Sequence, residues 1–296
     1  MKTEKILAVS LMQTYIHEHI TETITLKNLA KASFYSPYHA SRTFKEVIGI
    51  SPFEYIRKTR LTLAAKTIRD QKSKVIDVAL DFLFDSHEGF TRAFTKTFGL
   101  SPKRYQLNPK PIKWFLPYNA LSMYPNKLKE TLKMNETFTI FTQIIERPAR
   151  KALIKRGKNA KNYFAYCEEV DCEIWGLLTS VKDALYEPVG FWLPKSLIKK
   201  GTSEYVQGVE VPIDYQGEIP EGLELITLDP QAYLVFQSES YLDQDFEQAI
   251  YKSWEAIKKY DPSLYGYAFD YESAPKCQLE PLGYRGYIEM HPIKKL

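Results

Sequence analysis

One segment of this chain is written twice. Phe82–Tyr105 reads FLFDSHEGFTRAFTKTFGLSPKRY, and Phe34–Tyr55 reads FYSPYHASRTFKEVIGISPFEY. Arg42, Phe44, Gly49, Ser51, Pro52 and Tyr55 recur 50 positions later as Arg92, Phe94, Gly99, Ser101, Pro102 and Tyr105. Self-similarity at a fixed spacing marks one supersecondary unit used again. Each copy carries a short helix, a tight turn, and a second helix with small, polar and basic residues near its start. That is the layout of a helix-turn-helix, whose second helix enters the major groove. Two in tandem predict a chain that reads two DNA segments at once.

Charge supports this reading. Residues 1–110 hold 18 Lys and Arg against 10 Asp and Glu, whereas residues 111–296 hold 22 against 26. The net of +4 hides that split. A basic first third suits a polyanion, because each neutralised phosphate releases counterions. The alternative is a solvated basic surface; the repeat favours DNA.

The chain of 296 residues is long enough for two ordinary domains with their own cores. The opening residues include Glu4, His17 and Glu18 among short apolar runs, and no window offers 18 uninterrupted apolar residues, so a cytoplasmic protein without signal peptide or membrane span is expected. Cys167, Cys172 and Cys277 are too few for a disulfide framework, and no second pair or nearby histidine completes a metal site around Cys167 and Cys172. Neither metal nor cofactor is expected.

The first domain, residues 1–110, is expected to be all α. A first helix covers residues 4–20, with Ile6, Leu7, Val9, Leu11, Met12, Tyr15 and Ile16 mostly on one side. Thr25–Ala32 is a short second helix. Ser36-Pro37 supplies an N-cap hydroxyl and a proline at the first helical position, where the missing N–H costs nothing. The helix from Pro37 to about Val47 is the first reader, with Phe44 and Val47 facing inward and Gly49 ending it. Ser51-Pro52 starts a long spacer helix to Arg69, whose apolar stripe is Phe53, Ile56, Leu61, Ala64, Ala65 and Ile68. Val75–Asp81 is a further short helix. Asp85 and Glu88 are spaced as an Asp-initiated capping box for the second reader, Ser86–Phe98. Ser101-Pro102 starts a last short helix.

These residues carry a specific resemblance. Leu26–Leu107 resembles the DNA-binding domain of the AraC/XylS family of bacterial transcription regulators. The paired arginines, the phenylalanines two positions on, the Gly-x-Ser-Pro ends and the run Asp85–Phe94 (DSHEGFTRAF) carry it. The resemblance implies seven helices and two reader helices in successive major-groove faces. By position it offers Tyr38, Ser41, Arg42 and Lys45 as contacts of the first reader. His87, Glu88, Gly89, Thr91 and Arg92 are those of the second. Arginine reads guanine through a two-donor fork; Arg42 and Arg92 could instead clamp phosphate. His39 could be a packing residue, and Glu88 mainly a cap residue. Double-stranded promoter DNA and RNA polymerase are the macromolecular partners this resemblance implies.

Residues 111–136 mix prolines with a charged helical run, Asn126–Met134, and suit an inter-domain linker in which Trp114 and Phe115 dock onto one of the domains. The second domain, residues 137–296, is loosely doubled. Ala152-Leu153-Ile154 is echoed by Ala232–Phe236, and helical segments follow at Cys167–Ala184 and Gln244–Tyr260. Val189–Trp192 is echoed by Tyr265–Ala268, and Gly208–Ile213 by Gly286–Ile293. Each half therefore runs strand, helix, strand, strand. The expected fold class is α+β, an antiparallel sheet from two pseudo-two-fold-related units with helices on one face.

This half resembles the GyrI-like effector-binding domain, also called the SHS2 or SOUL-type fold, through Tyr205–Pro212 (YVQGVEVP) and Pro275–Pro292 (PKCQLEPLGYRGYIEMHP). The domain order resembles that of Rob-like regulators. The resemblance implies an apolar or amphipathic effector, neutral or cationic, in a cleft at the pseudo-two-fold. Aromatics would give area and a face for a cation, and a carboxylate the counter-charge. Trp175, Phe191, Trp192, Tyr284 and Tyr287 are the candidate walls, each also suited to core packing. Gln278 and Glu280 share a strand face. Family members often carry the binding glutamate where Gln278 stands, so Glu289, with Glu210 as its expected pseudo-equivalent, is the alternative charge.

The reading is thus a ligand-responsive transcription factor, an activator, and not an enzyme. Two other readings compete with it. Some GyrI-like domains are similar in fold to hydrolases of strained cyclopropane compounds, in which case Glu280 or Glu289 would activate water. An architectural DNA-binding protein with a vestigial second domain is the third.

Overall fold

In the computed structural model the described residues are 2–71, 73–117, 119–120, 138–170, 173–242 and 245–296. The chain divides into two compact units, Met1–Pro125 and Asn126–Leu296. The first unit contains α1 (Lys2–Glu18), α2 (Leu26–Ser33), α3 (Pro37–Ile48), α4 (Pro52–Asp70), α5 (Val75–Asp81), α6 (His87–Phe98) and α7 (Pro102–Leu107).

Local chemistry sets these boundaries. Ser36, Ser51, Ser86 and Ser101 are N-caps whose hydroxyls accept from the backbone N–H three residues on, at 3.3, 3.2, 3.0 and 3.3 Å. Proline follows the cap in α3, α4 and α7. Gly49 and Gly99 close the two readers with φ of 86° and 77°, a left-handed conformation that a side chain would oppose. Gly-x-Ser-Pro is therefore a stop, one spacer residue and a start.

The cap of α6 is Ser86, not Asp85. The two turns explain why. Phe34 and Leu83 hold matching left-handed positions, φ 58° and 59°, and the next residues, Tyr35 and Phe84, donate back to Ala30 and Ala79. These pairs are 49 apart, whereas the capping serines are 50 apart. Asp85 is the one extra residue of the second turn.

Helix α4 joins two cores. Its first half places Tyr55 and Ile56 with Val9, Met12, Leu29 and Phe44. Its second half places Leu61, Ala64, Ala65 and Ile68 with Val78, Phe90, Phe94 and Tyr105. Phe53, expected in the stripe, is 50% exposed, and Tyr55 takes the inward place. The tyrosine hydroxyl is reached by Gln13 Nε2 at 3.2 Å and by His17 Nε2 at 3.1 Å.

Residues 111–117 and 119–120, within the segment expected as linker, pack with the helices. Ile112 and Trp114 are buried in the second core, with the Arg69 guanidinium 4.6 Å from the Trp114 ring centre. Phe115 donates its N–H to Thr62 Oγ1 at 2.9 Å and packs on the first core beside Tyr55. Ala120 is buried there too, donating to Gln13 Oε1 at 2.7 Å. The segment runs back along α4 and ties both cores together, because its apolar side chains are spaced to reach each. The helical run expected at 126–134, and Cys172, lie outside the described residues.

The second unit contains β1 (Ile140–Arg147), β2 (Arg150–Arg156), α8 (Tyr163–Val170), α9 (Ile174–Thr179), β3 (Val189–Trp192), β4 (Tyr205–Pro212), β5 (Glu224–Leu228), β6 (Gln231–Ser238), α10 (Phe246–Lys258), β7 (Tyr267–Phe269), β8 (Lys276–Leu279) and β9 (Ile288–Lys295). The sheet order is β1-β6-β9-β8-β3-β4-β2-β5, with β7 also on β9 and all pairs antiparallel. The order is symmetric about the β3–β8 pair. Each half thus has an extra leading strand, β1 or β5, that the expected pattern lacked. The counterpart of β3 is β8, not the Tyr265–Ala268 stretch.

Two-residue turns join β1 to β2 and β5 to β6, although these strands lie far apart in the order. The sheet must therefore curl until its ends approach. Its inner face buries Ala152, Ile154, Phe191, Val206, Tyr233, Cys277 and Met290. Its outer face carries the helices: Leu153, Tyr205, Val209 and Val211 pack with residues of α8 and α9, and Leu234, Phe236 and Ile293 with Ile257 of α10.

Candidate DNA-reading helices and effector cleft

On α3, Tyr38 is 76% exposed, and Arg42 and Lys45 are exposed while Ser41 is half-buried. The helix is held against the core by Ala40, Thr43 and Phe44. Glu46 lies on the same outer surface and accepts from Lys5 Nζ at 2.6 Å. His39 stacks on Tyr35 with ring centres 4.1 Å apart, a packing role for an exposed residue.

On α6, anchored by Phe90 and Phe94, His87, Glu88 and Arg92 are exposed. Arg92 is the structural counterpart of Arg42. Glu88 sits in the first turn, where a carboxylate opposes the positive helix end. Gly89 is explained by the cap: a Cβ there would lie 3.1 Å from Ser86 Oγ. Thr91 is half-buried, and its hydroxyl is buried with no hydrogen-bond partner among the described residues. Thr95 and Lys96, one turn on, are exposed instead. The helical i+4 step from Thr91 and Arg92 is the sequence signal that could have found them.

In the second unit a narrow cleft lies on the outer sheet face at the pseudo-two-fold. Trp192 and Gln278 from the central strands, Asn162, Tyr163 and Phe164 at α8, Phe246, Ile250 and Trp254 of α10, and Tyr287 line it. The Phe164 and Phe246 rings meet edge to face, centres 6.3 Å apart, between the two helices. Trp192 donates its indole N–H to Lys161 O at 2.9 Å, which ties the approach to α8 onto β3.

Behind these walls lies Glu289, 1% exposed. Its Oε1 accepts from Tyr287 OH at 2.5 Å and Trp254 Nε1 at 2.8 Å; its Oε2 accepts from His291 Nε2 at 2.9 Å. Lys276 Nζ is 3.4 Å away and also 3.6 Å from the Trp192 ring centre. Burial alone would raise the Glu289 pKa. The His291 hydrogen bond and the Lys276 charge outweigh burial and hold it at about 2. Burial pushes the His291 pKa down, so the imidazole is neutral, donating from Nε2 and accepting from Tyr271 OH at Nδ1, 2.7 Å. Sequence reasoning missed Lys276, His291 and Trp254, because no local pattern brings them to one carboxylate.

Other expected cleft residues fall elsewhere. Phe191 is fully buried on the inner face, where strand alternation from Trp192 must put it. Glu210 also belongs to that face. Its Oε1 accepts from Arg150 Nε at 2.5 Å, and Arg150 Nη2 reaches Tyr233 OH at 3.2 Å. Register makes Gln207, not Glu210, the counterpart of Glu289: Gln207 pairs with Gly190, and Glu289 with Gln278. Tyr284 is 80% exposed in a 3-10 turn and is not among the cleft's lining residues. Trp175 and Glu280 are not among the cleft's lining residues. Burial, then Glu187, raises the Glu280 pKa against the opposing pull of Arg285 and Trp175. Of the two glutamates offered as alternatives to activate water, Glu280 or Glu289, the second has both oxygens engaged. Among the described residues no group of His, Cys, Asp or Glu side chains is placed to hold a metal ion, and no helix is long and apolar enough to cross a membrane.

A tandem helix-turn-helix unit followed by a pseudo-symmetric cleft domain defines a one-chain regulator, and comparison with known proteins agrees. Residues 29–108 match a family described as a helix-turn-helix domain, and residues 173–291 one described as integron-associated effector binding protein. The HTH-type transcriptional activator AarP of Providencia stuartii is 34% identical over 100 residues, 34% of this chain and 74% of AarP. The right origin-binding protein of Escherichia coli K12 is 36% identical over 96 residues, 32% of this chain but 33% of that protein. Among solved structures, the C-terminal domain of AraT from Geobacillus stearothermophilus is 29% identical, covering 34% of this chain and 84% of that one, with a TM-score of 0.32. The chain belongs to the AraC/XylS family of DNA-binding transcription regulators, with an effector-binding domain after the DNA-binding one.

Proposed function

We propose that this regulator is a cytoplasmic, one-component activator that reads promoter DNA with α3 and α6 and senses a small apolar molecule in the cleft between α8 and α10. The observation that carries the DNA half is the pair Arg42 and Arg92, exposed at equivalent positions of two identically capped helices. Tyr38, Ser41 and Lys45 accompany the first arginine; His87, Glu88 and Lys96 accompany the second. The observation that supports the sensor half is the aromatic lining drawn from both pseudo-symmetric halves. An effector shifts DNA binding or RNA polymerase recruitment only through different affinities for two states of the chain. Binding without turnover is the role assigned to the cleft.

Operator binding by Arg42→Ala and Arg92→Ala tests the reader assignment. Each substitution is expected to cost about 1–3 kcal/mol and to relax preference at separate positions roughly one helical turn apart. Uniform weakening on all DNA would assign both to phosphate. No effect from either overturns the tandem-reader mechanism.

A further inference from the structure

We propose that Lys276, which is not itself among the cleft's lining residues, takes from within the chain the two contacts a cationic ligand would use beside this cleft, so that the cleft selects neutral or anionic aromatic molecules and rejects cations. The proposal rests on the cleft being the effector site.

A bound organic cation needs two things in a partly dry pocket: an aromatic face and a counter-charge. The cleft has one of each within reach, the Trp192 ring and the Glu289 carboxylate, and Lys276 already uses both. Its ammonium lies 3.6 Å from the Trp192 ring centre and 3.4 Å from Glu289 Oε2. The placement is fixed by the sheet, since Lys276 and Trp192 are cross-strand partners in the β3–β8 pair at the pseudo-two-fold. The lysine side chain is only 21% exposed.

The carboxylate has little left to offer. Tyr287 and Trp254 occupy Oε1, and His291 occupies Oε2. With His291 neutral the pair carries no net charge, but the lysine side chain is 21% exposed and the carboxylate 1%, so the ammonium is the end nearer an entering ion. An entering cation would meet a like charge over Trp192 and no uncompensated negative one. A neutral ring stacks on the remaining aromatic walls without penalty. An anion gains from the ammonium at its side.

Tetraphenylborate and tetraphenylphosphonium have the same shape and opposite charge, and serve as probes. Titration calorimetry on the full chain is expected to show tetraphenylborate binding at least about tenfold more tightly than tetraphenylphosphonium, within the range one cation–π contact spans. Lys276→Met keeps the length and removes the charge; it should lose that preference or reverse it. Lys276→Arg should retain it. Phe164→Ala, a substitution at the cleft mouth, should weaken both ions and so place them in the cleft. Wild-type preference for the phosphonium, or an unchanged preference in a folded Lys276→Met chain, overturns the role of Lys276 and leaves the cleft as a site. Binding of neither ion to any variant, or binding indifferent to Phe164→Ala, overturns the effector-site reading beneath it.

Discussion

Glu289→Gln gives the sharpest separation of two roles for this carboxylate. If Glu289 were a counter-charge held ready for a ligand, the substitution would spare stability and weaken only cations. The structure assigns it a different task. The carboxylate is buried and accepts from Tyr287, Trp254 and His291, with Lys276 beside it. A glutamine carbonyl can keep the first two donors. Its amide then faces the His291 N–H and the Lys276 ammonium, both donors, and the ammonium loses its partner. Burial would raise the pKa, but the His291 bond and the Lys276 charge hold it at about 2 rather than the ordinary 4.5. That gap corresponds to about 3 kcal/mol. Breaking a buried pair from one side costs a similar ~3–5 kcal/mol. The sign follows from the depressed folded pKa: the stabilisation is present above pH 4.5 and is lost as pH falls towards 2. His291, also depressed, begins to destabilise the fold as pH drops through 6.5. Calorimetric melting of the full chain should therefore show the transition of the second unit lowered by roughly 6–15 °C at pH 7 in Glu289→Gln. The acid loss between pH 4.5 and 2 should be reduced in the variant. A variant as stable as wild type at pH 7, with cation affinity selectively lost, refutes this reasoning and restores the ligand role.

Other expectations follow from the helical unit. Ser86→Ala should cost about 1 kcal/mol in urea unfolding, and Asp85→Ala less than about 0.5, because only the serine caps α6; equal costs would contradict the inserted-residue account of the turn. Trp114→Ala should destabilise the unit by about 3–5 kcal/mol, and a milder Trp114→Phe should weaken operators that need both readers more than isolated half-sites. If half-site and full-site affinities fall together, residues 111–120 do not hold the two readers in register. Phe53→Ala should change stability by less than about 0.5 kcal/mol, in contrast to Tyr55→Ala, which empties a core position shared by α1, α3 and α4; similar losses from both would overturn the assigned face of α4.

The sequence alone determined the helical unit almost to the residue. Its signals are short-range: a serine whose hydroxyl meets an N–H three residues on, a proline beside it, and a glycine at a left-handed stop. Such chemistry works within one turn and can be read without knowing the fold. The error at Asp85 was of the same short range, a choice between adjacent cap residues that only the backbone of the turn decides. In the second unit the sequence showed the doubling, the aromatic supply and three residues that line the cleft, Trp192, Gln278 and Tyr287, but not the residues gathered around the Glu289 carboxylate. There a step of one residue along a strand moves a side chain to the opposite face. Glu210 and Phe191 thereby went to the inner core, and Glu289 to the outer face behind the cleft. The leading strands β1 and β5 became strands by pairing with β6 and β2 from the other half of the domain. Lys276, Trp192 and Glu289 meet because β8 lies between β3 and β9 in the curled sheet. Distant pairing, not any local pattern, decided which side chains line the cleft.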